Sequence, residues 1–233
     1  MDDPLSLDPD EVSRRIAEAG IVGLGGATFP SAPKALLGRQ HKVHTLVING
    51  GECEPYLSSD DRIMRDRAAE VVGGIRILMH ATGAKLAKVG IENNKPEATQ
   101  AMREAAAAHP EIEICTVPAR YPMGSDRQLV QVLTGREVPS GARTASIGVL
   151  VNNVSTCAAI YRALRLGEPL SHRIVTINGG AVKSPGNVLA PIGVLVEDLL
   201  TFVGLKEIPA RLVMGGPMMG IALPHAKVPT VKG

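Results

Sequence analysis

The chain has 233 residues, 45% hydrophobic and 21% charged, with a formal net charge of +2. That is enough for one large core or two smaller ones, and it gives no electrostatic case for nucleic acid. Aromatic residues make up 2% with no Trp, which excludes a base-stacking platform, and no apolar run reaches the ~18 residues of a membrane span.

The start, Met1-Asp2-Asp3-Pro4, is acidic and unlike a signal peptide, so any membrane link is expected to go through a partner. Asp8-Pro9-Asp10-Glu11 reads as a helix start, with Asp8 as cap and Glu11 closing a capping box. Ile16 and Ala17 give that helix an inner face, and Gly20 ends it.

The stretch Gly20 to Lys34 follows. Gly23, Gly25 and Gly26 expose backbone N–H groups to an approaching anion. Ser31 and Pro33 then open a helix to about Leu37, and Lys34 stands where an ammonium could reach a phosphate at the helix N-terminus. Thr28 occupies the third glycine place of a dinucleotide fingerprint, and the Walker Gly-Lys-Ser/Thr is absent. The pattern alone fits an anion cradle and a glycine-rich turn equally.

Thr45 to Ile48 is a buried strand, ending in Asn49-Gly50-Gly51-Glu52-Cys53-Glu54-Pro55. In α/β sheets, ligands sit at such carboxyl ends. Asp60-Asp61 opens one long helix carrying Ile63, Met64, Val71, Val72, Ile75, Leu78 and Met79, with Gly73-Gly74 expected to pack closely against the sheet. Strands at Leu86–Ile91, Glu113–Val117 and Val149–Val151 alternate with helices at Pro96–Ala108, Arg127–Leu133 and Ser155–Leu166. This alternation predicts an α/β fold, a parallel sheet layered by helices.

Past Gly167-Glu168-Pro169 the rhythm changes. Arg173–Ile177, Val188–Ala190 and Leu212–Met214 read as short strands and Leu195–Phe202 as a helix, a small α+β unit near the lower size for independent folding. Pro224–Gly233 reads as extended linker. The expected organisation is residues 1–168, 169–223 and 224–233.

Cys53, Cys115 and Cys157 are far apart and form no C-x-x-C, so neither an iron–sulfur cluster nor a zinc site is expected from them. Cys115 and Cys157 suit core packing, and the six histidines show no ligand spacing.

Gly23-Leu24-Gly25-Gly26-Ala27-Thr28-Phe29-Pro30 resembles the flavin loop of the NADH-oxidising subunit of respiratory complex I, and more closely that of the C-subunit of the Rnf (Rsx) electron-transport complex. The resemblance continues in Ile48 to Tyr56, Gly90-Ile91-Glu92-Asn93-Asn94-Lys95-Pro96, Leu133 to Pro139, Val151-Asn152-Asn153-Val154 and Gly215-Gly216-Pro217-Met218-Met219-Gly220. It implies a Rossmann-like flavin domain followed by a β-grasp unit of the SLBB type. It covers the middle of the family's chain. The family's biotin-carrier-like segment and its region ligating two [4Fe–4S] clusters have no counterpart here.

The resemblance further implies FMN as cofactor, held by Gly23, Gly25, Gly26, Lys34, Asn49, Asn152 and Asn153, and NADH as substrate, met by Phe29, Glu54 and Asp126. Turn formation after a strand is the other reading of Asn152-Asn153, core packing that of Phe29, and a solvated loop charge that of Glu54 and Asp126. Hydride would pass between NADH and FMN, with no catalytic side chain and no metal. Electrons would leave through clusters outside this sequence. Implied partners are the other Rnf subunits and, indirectly, ferredoxin, at the cytoplasmic face of the bacterial inner membrane. Two departures from the complex I pattern stand out: Gly51 replaces an aspartate, and Ser125-Asp126 replaces two glutamates. A flavin-dependent cobalamin reductase of microcompartments shares much of the loop, although Asn93 to Pro96 and Leu133 to Arg136 favour Rnf. A non-catalytic binding or assembly role is the alternative from another class.

Overall fold

The computed structural model describes residues 2–233. Helix α1 (Pro9–Glu18) is capped by Asp8, whose carboxylate accepts the Asp10 N–H at 2.8 Å. The expected capping box does not close. Glu11 instead takes Arg14 and Arg15, and these guanidiniums hold its carboxyl down at about 2. Gly20, at φ +67°, turns the chain out of α1 into the glycine loop, and α2 (Ser31–Gln40) follows.

Strands β1 (Thr45–Gly50), β2 (Leu86–Glu92), β3 (Ile112–Val117) and β4 (Val149–Asn153) form one parallel sheet in the order β3-β2-β1-β4. The register pairs Leu46 with Ala87 and Leu150, and Ile48 with Val89 and Asn152. The alternate residues then separate by face. Leu46, Ile48, Val89 and Leu150 enter the main core with α1, α2, α4 (Ala68–Thr82), α5 (Pro96–Ala106) and α7 (Val154–Tyr161, continued by a wider turn over Arg162–Leu166). Val47, Val149 and Val151 pack on the other face against Leu129, Val130 and Leu133 of α6 (Asp126–Thr134). Each of these fully buried aliphatic side chains contributes about 1.5–3 kcal/mol. All four strands end on the same edge, which gathers their following loops.

The expected long helix after Asp60 is two helices. α3 (Ser59–Asp66) stops where Arg67 leaves helical backbone at φ −132°, and α4 starts directly after. The break re-aims the chain: Met64 of α3 packs under Gly50, whereas α4 lies along α7. Gly73-Gly74 is a close-approach site, but its partner is α7 rather than the sheet. A Cβ on Gly74 would collide with the Cys157 carbonyl, and one on Gly73 with the Tyr161 ring.

The second unit holds two antiparallel hairpins, β5 (His172–Ile177) with β6 (Gly186–Pro191) and β7 (Leu212–Met214) with β8 (Ile221–Leu223). Helix α8 (Val196–Val203) packs Leu199 and Val203 on Ile177, Val182 and Ala190. β8 was not foreseen from the sequence. The two units are stitched together: the Ser58 N–H donates to Thr176 Oγ1 at 3.1 Å, the Asn187 amide donates to Ser58 O at 3.2 Å, and the Leu170 N–H donates to Ala19 O at 3.0 Å. The final segment is bonded along its length to both units.

Candidate functional site

The glycine loop is a narrow hairpin. Gly23 N–H donates to Phe29 O at 2.8 Å, Ser31 N–H to Ile21 O at 3.1 Å, and Val22 bridges Pro30. Leu24 N–H donates to Thr156 Oγ1 at 2.9 Å, which ties the loop to the first turn of α7. Gly26 has φ +106°, a conformation open to glycine, and Thr28 has φ +48°. Gly25 lies directly on Asn153, so a Cβ there would stand 3.3 Å from that residue's Cβ. Among the described residues, the N–H groups of Gly25 through Phe29 make no hydrogen bond. They crown a loop that opens straight into α2, whose first turn has no side-chain cap.

Lys34 sits one turn into α2. Burial pushes its ammonium below the usual lysine range, while the Asp126 carboxylate and Cys157 act the other way. Among the described residues it joins no ion pair or hydrogen bond, so its charge has no bonded counter-ion. Helix α2 runs back along β4 and leads to His44, whose N–H donates to Gly148 O at 3.0 Å. A Cβ on Gly38 would meet Leu150 Cδ1 at 2.8 Å. Lys34 is one turn earlier on that helix face, about 6 Å along the axis. Asn152 is two residues beyond Leu150 on the same strand face, about 6.6 Å along. The packing therefore sets Lys34 over the Asn152 end of β4.

The three asparagines divide by what they already hold. Asn152 is 6% exposed, and its amide makes no hydrogen bond among the described residues. Asn153 is the N-cap of α7. Its Oδ1 accepts the N–H groups of Ser155 at 2.8 Å and Thr156 at 3.3 Å, and its Nδ2 donates to Asp60 at 2.7 Å. Asn49 accepts the Gly51 N–H at 2.9 Å and donates to Gly124 O at 2.8 Å, which draws the loop before α6 onto the end of β1. Gly124 in turn gives its N–H to Cys53 Sγ at 3.4 Å.

Two acids that the sequence reading passed over lie beneath this floor. Asp60 accepts from Asn153 and Ser155, and Glu52 accepts the N–H groups of Asp60 at 3.0 Å and Asp61 at 3.3 Å at the start of α3. Burial, with the Asp60 charge beside it, pushes the Glu52 carboxyl up to about 7, and burial also raises Asp60. Lys95, in an ion pair with the buried Glu92 at 3.1 Å, is the cation that works against both shifts. Glu52 was visible within its motif. Asp60 read only as a helix start.

Phe29 is 45% exposed at the loop tip, and Asp126 is an exposed first residue of α6. Glu54 is turned onto the second unit: its Oε2 accepts the Met218 N–H at 2.8 Å, while its Oε1 is buried with no partner. Tyr56 and Tyr121 also stand exposed on loops of this edge, and the sequence reading named neither.

The family model of the Nuo51 FMN-binding domain matches residues 16–162, and that of the SLBB domain matches residues 174–222. The chain belongs to the Nuo51 FMN-binding domain family. Its relatives include the C-subunit of the ion-translocating oxidoreductase complex of Rhodobacter capsulatus, 47% identical over 99% of this chain and 45% of the relative. The subunit of the same name in Pseudomonas aeruginosa is 51% identical over 96% of this chain and 29% of the relative. The C-subunit of the proton-translocating ferredoxin:NAD(+) oxidoreductase complex of Clostridium ljungdahlii is 46% identical over 97% and 50%. The chain thus spans half or less of the length of these relatives, and the resemblance to the Rnf C-subunit is borne out. An air-oxidized NAD+-reducing [NiFe]-hydrogenase shares the fold, with a TM-score of 0.79 at 24% identity over 96% of this chain and 44% of that one.

The residues of this FMN-binding-domain chain fit the phosphate of such a cofactor. Unbonded loop amides lead into an uncapped helix start whose first turn carries a cation without a bonded counter-ion, the set of groups an anion requires.

Proposed function

We propose that this chain is the FMN- and NADH-binding module of an Rnf-type C-subunit. The observation that carries the proposal is Lys34: a partly buried ammonium without a bonded partner, in the first turn of the helix into which the unbonded loop amides lead. When bound, FMN would supply a hydride acceptor that can also pass electrons on singly. The amides of Gly25 and Gly26 and the Lys34 ammonium would take the phosphate, with Gly23 shaping the hairpin. Asn152 would offer donor and acceptor together. Asn49 and Asn153, bonded internally, would hold the floor on which the loop rests. Phe29 offers a face for stacking, and the exposed Asp126 offers an acceptor to the hydroxyls and carboxamide of NADH. Glu54, with Oε1 buried and Oε2 bonded to Met218, would have to turn off the second unit to do the same. The names of the relatives favour this reading over the cobalamin reductase.

In the intact protein the electrons would pass to [4Fe–4S] clusters outside this sequence and on toward ferredoxin. No helix among the described residues is long and apolar enough to cross a membrane. Membership in a membrane complex such as the relatives' names describe would hold the site at the cytoplasmic face of the inner membrane through partner subunits.

Calorimetric titration with FMN tests the proposal. Gly25→Val, which drives a side chain into Asn153, and Lys34→Glu are each expected to weaken binding at least about tenfold. Wild-type affinity in both variants would place the flavin elsewhere. A wild-type chain that takes no FMN would favour the binding or assembly role.

A further inference from the structure

The segment after β8 does more than leave the second unit. Glu197 N–H donates to Ala226 O and Val196 N–H to Val228 O, both at 3.0 Å, and Pro229 bridges Leu195. Thr230 is 7% exposed and locked in place. Its N–H donates to Val194 O at 2.8 Å, its O accepts the Gly193 N–H at 3.0 Å, and its hydroxyl donates to Pro191 O at 3.1 Å. Two residues on, Arg173 of β5 donates to Lys232 O at 2.7 Å, and Lys232 Nζ donates to Gly20 O at 2.7 Å. Gly233 lies against the loop itself. A Cβ on it would collide with Thr28 Cγ2 and stand 3.0 Å from Gly26 O. A set of bonds therefore leads from the second unit to the start of the glycine loop at Gly20, and a close contact at Gly233 reaches its tip at Gly26 and Thr28.

We infer that residues 226–233 are a strap by which the second unit holds the flavin loop in its binding shape. This rests on the reading that FMN binds at that loop. The physical reason lies in the loop's composition. Glycine loses more conformational freedom on ordering than any other residue, so a free Gly23–Gly26 segment would charge that ordering against ligand affinity. A strap fixed at Thr230 and bonded at Gly20 orders the loop when the protein folds, before any ligand arrives. Lys232 and Thr230 are positioning residues: neither is among the groups assigned to the cofactor.

The test uses the full chain with Thr230→Val, which removes the hydroxyl's bonds to Pro191 O and the Gly193 N–H and weakens the strap's neutral anchor, and Lys232→Met, which removes the bond to Gly20. Lys232→Arg serves as the conservative variant and Lys34→Glu as the control on the site. FMN affinity, unfolding without FMN and amide exchange across Gly23–Phe29 are measured. Expected are affinities about tenfold weaker in Thr230→Val and Lys232→Met. Loop amides should exchange faster in both, sheet amides should be unchanged, and Lys232→Arg should restore most of the affinity. Wild-type affinity in both strap variants, with Lys34→Glu still impaired, would overturn the strap and leave the site standing. Wild-type affinity in Lys34→Glu would overturn the site instead. An effect confined to Lys232→Met and erased by salt would reduce the strap to a distant charge. Faster exchange throughout the protein would reduce it to general stability, and either result would overturn the inference.

Discussion

The Asn153 side-chain amide donates to the Asp60 carboxylate at 2.7 Å, and so joins the start of α7 to the start of α3 beneath the glycine loop. A residue of the proposed flavin floor is thereby bonded to a carboxylate that shares its surroundings with Glu52.

That pair gives the protein a pH dependence of definite sign. The folded protein holds a proton on Glu52 up to about pH 7, whereas the unfolded chain releases it near the ordinary 4.5, and Asp60 shifts in the same direction. Between these values the folded state holds the extra proton on Glu52, so that group's contribution to stability falls as pH rises from 5 to 7, and Asp60 adds a decline of the same sign. The slope is at most about 1.4 kcal/mol per pH unit for one such group. Urea unfolding across this range is expected to show the decline in wild type and a flatter line in Glu52→Gln. Equal slopes would remove Glu52 as its source.

Asn152 and Asn153 are adjacent, yet their alanine variants are expected to fail differently. Asn153→Ala uncaps α7 and takes a donor from Asp60, costing about 0.5–2 kcal/mol of stability for the cap alone. Asn152→Ala removes an amide bonded to nothing in the protein, and is expected to change stability by less than about 0.5 kcal/mol while weakening FMN. Chemical unfolding and FMN titration of the two variants give the comparison. Reversed roles would exchange the assignments.

Glu54 and Asp126 are expected to serve NADH rather than FMN. Glu54→Gln and Asp126→Asn should keep FMN affinity and slow anaerobic reduction by NADH about tenfold or more, the scale of one lost charged hydrogen bond. Asp126 is one methylene shorter than the family's glutamate, so the smaller effect belongs to it. Stopped-flow reduction at several NADH concentrations measures both. Wild-type rates in both variants, or loss of FMN from both, would refute the pairing.

Gly74→Ala sets two effects against each other. Alanine is favoured over glycine inside a helix by roughly 1 kcal/mol. Here its methyl would strike the Cys157 carbonyl, and forcing such a contact costs typically 1–3 kcal/mol. The steric term is expected to win, giving a net loss in urea unfolding. A stabilised variant would mean that α4 and α7 can separate freely.

The sheet was legible because its strands are short apolar runs bounded by turn residues, as at Leu46–Ile48 and Val149–Val151. The α3–α4 break was not, because Arg67 carries no glycine or proline signal. Gly73-Gly74 announced a close approach, but its partner is a residue far along the chain, and local pattern is silent about such partners. The same limit governs the floor of the site. Asn49 and Asn153 stood out as asparagines after strands, whereas their bonds reach Gly124 and Asp60, 75 and 93 residues away. The three-residue β8 is too short for alternation to register.

The bonds between Ser58, Thr176 and Asn187, with Leu170 bonded to Ala19, bear on how the molecule would come apart. A protease cutting between Gly167 and Pro169 would sever the covalent link while leaving these contacts in place. The nicked protein would then travel as one particle through a sizing column and separate into two pieces only on denaturation. The seam between the units would behave as an interior surface of a single cooperative body, and heating would melt both halves together.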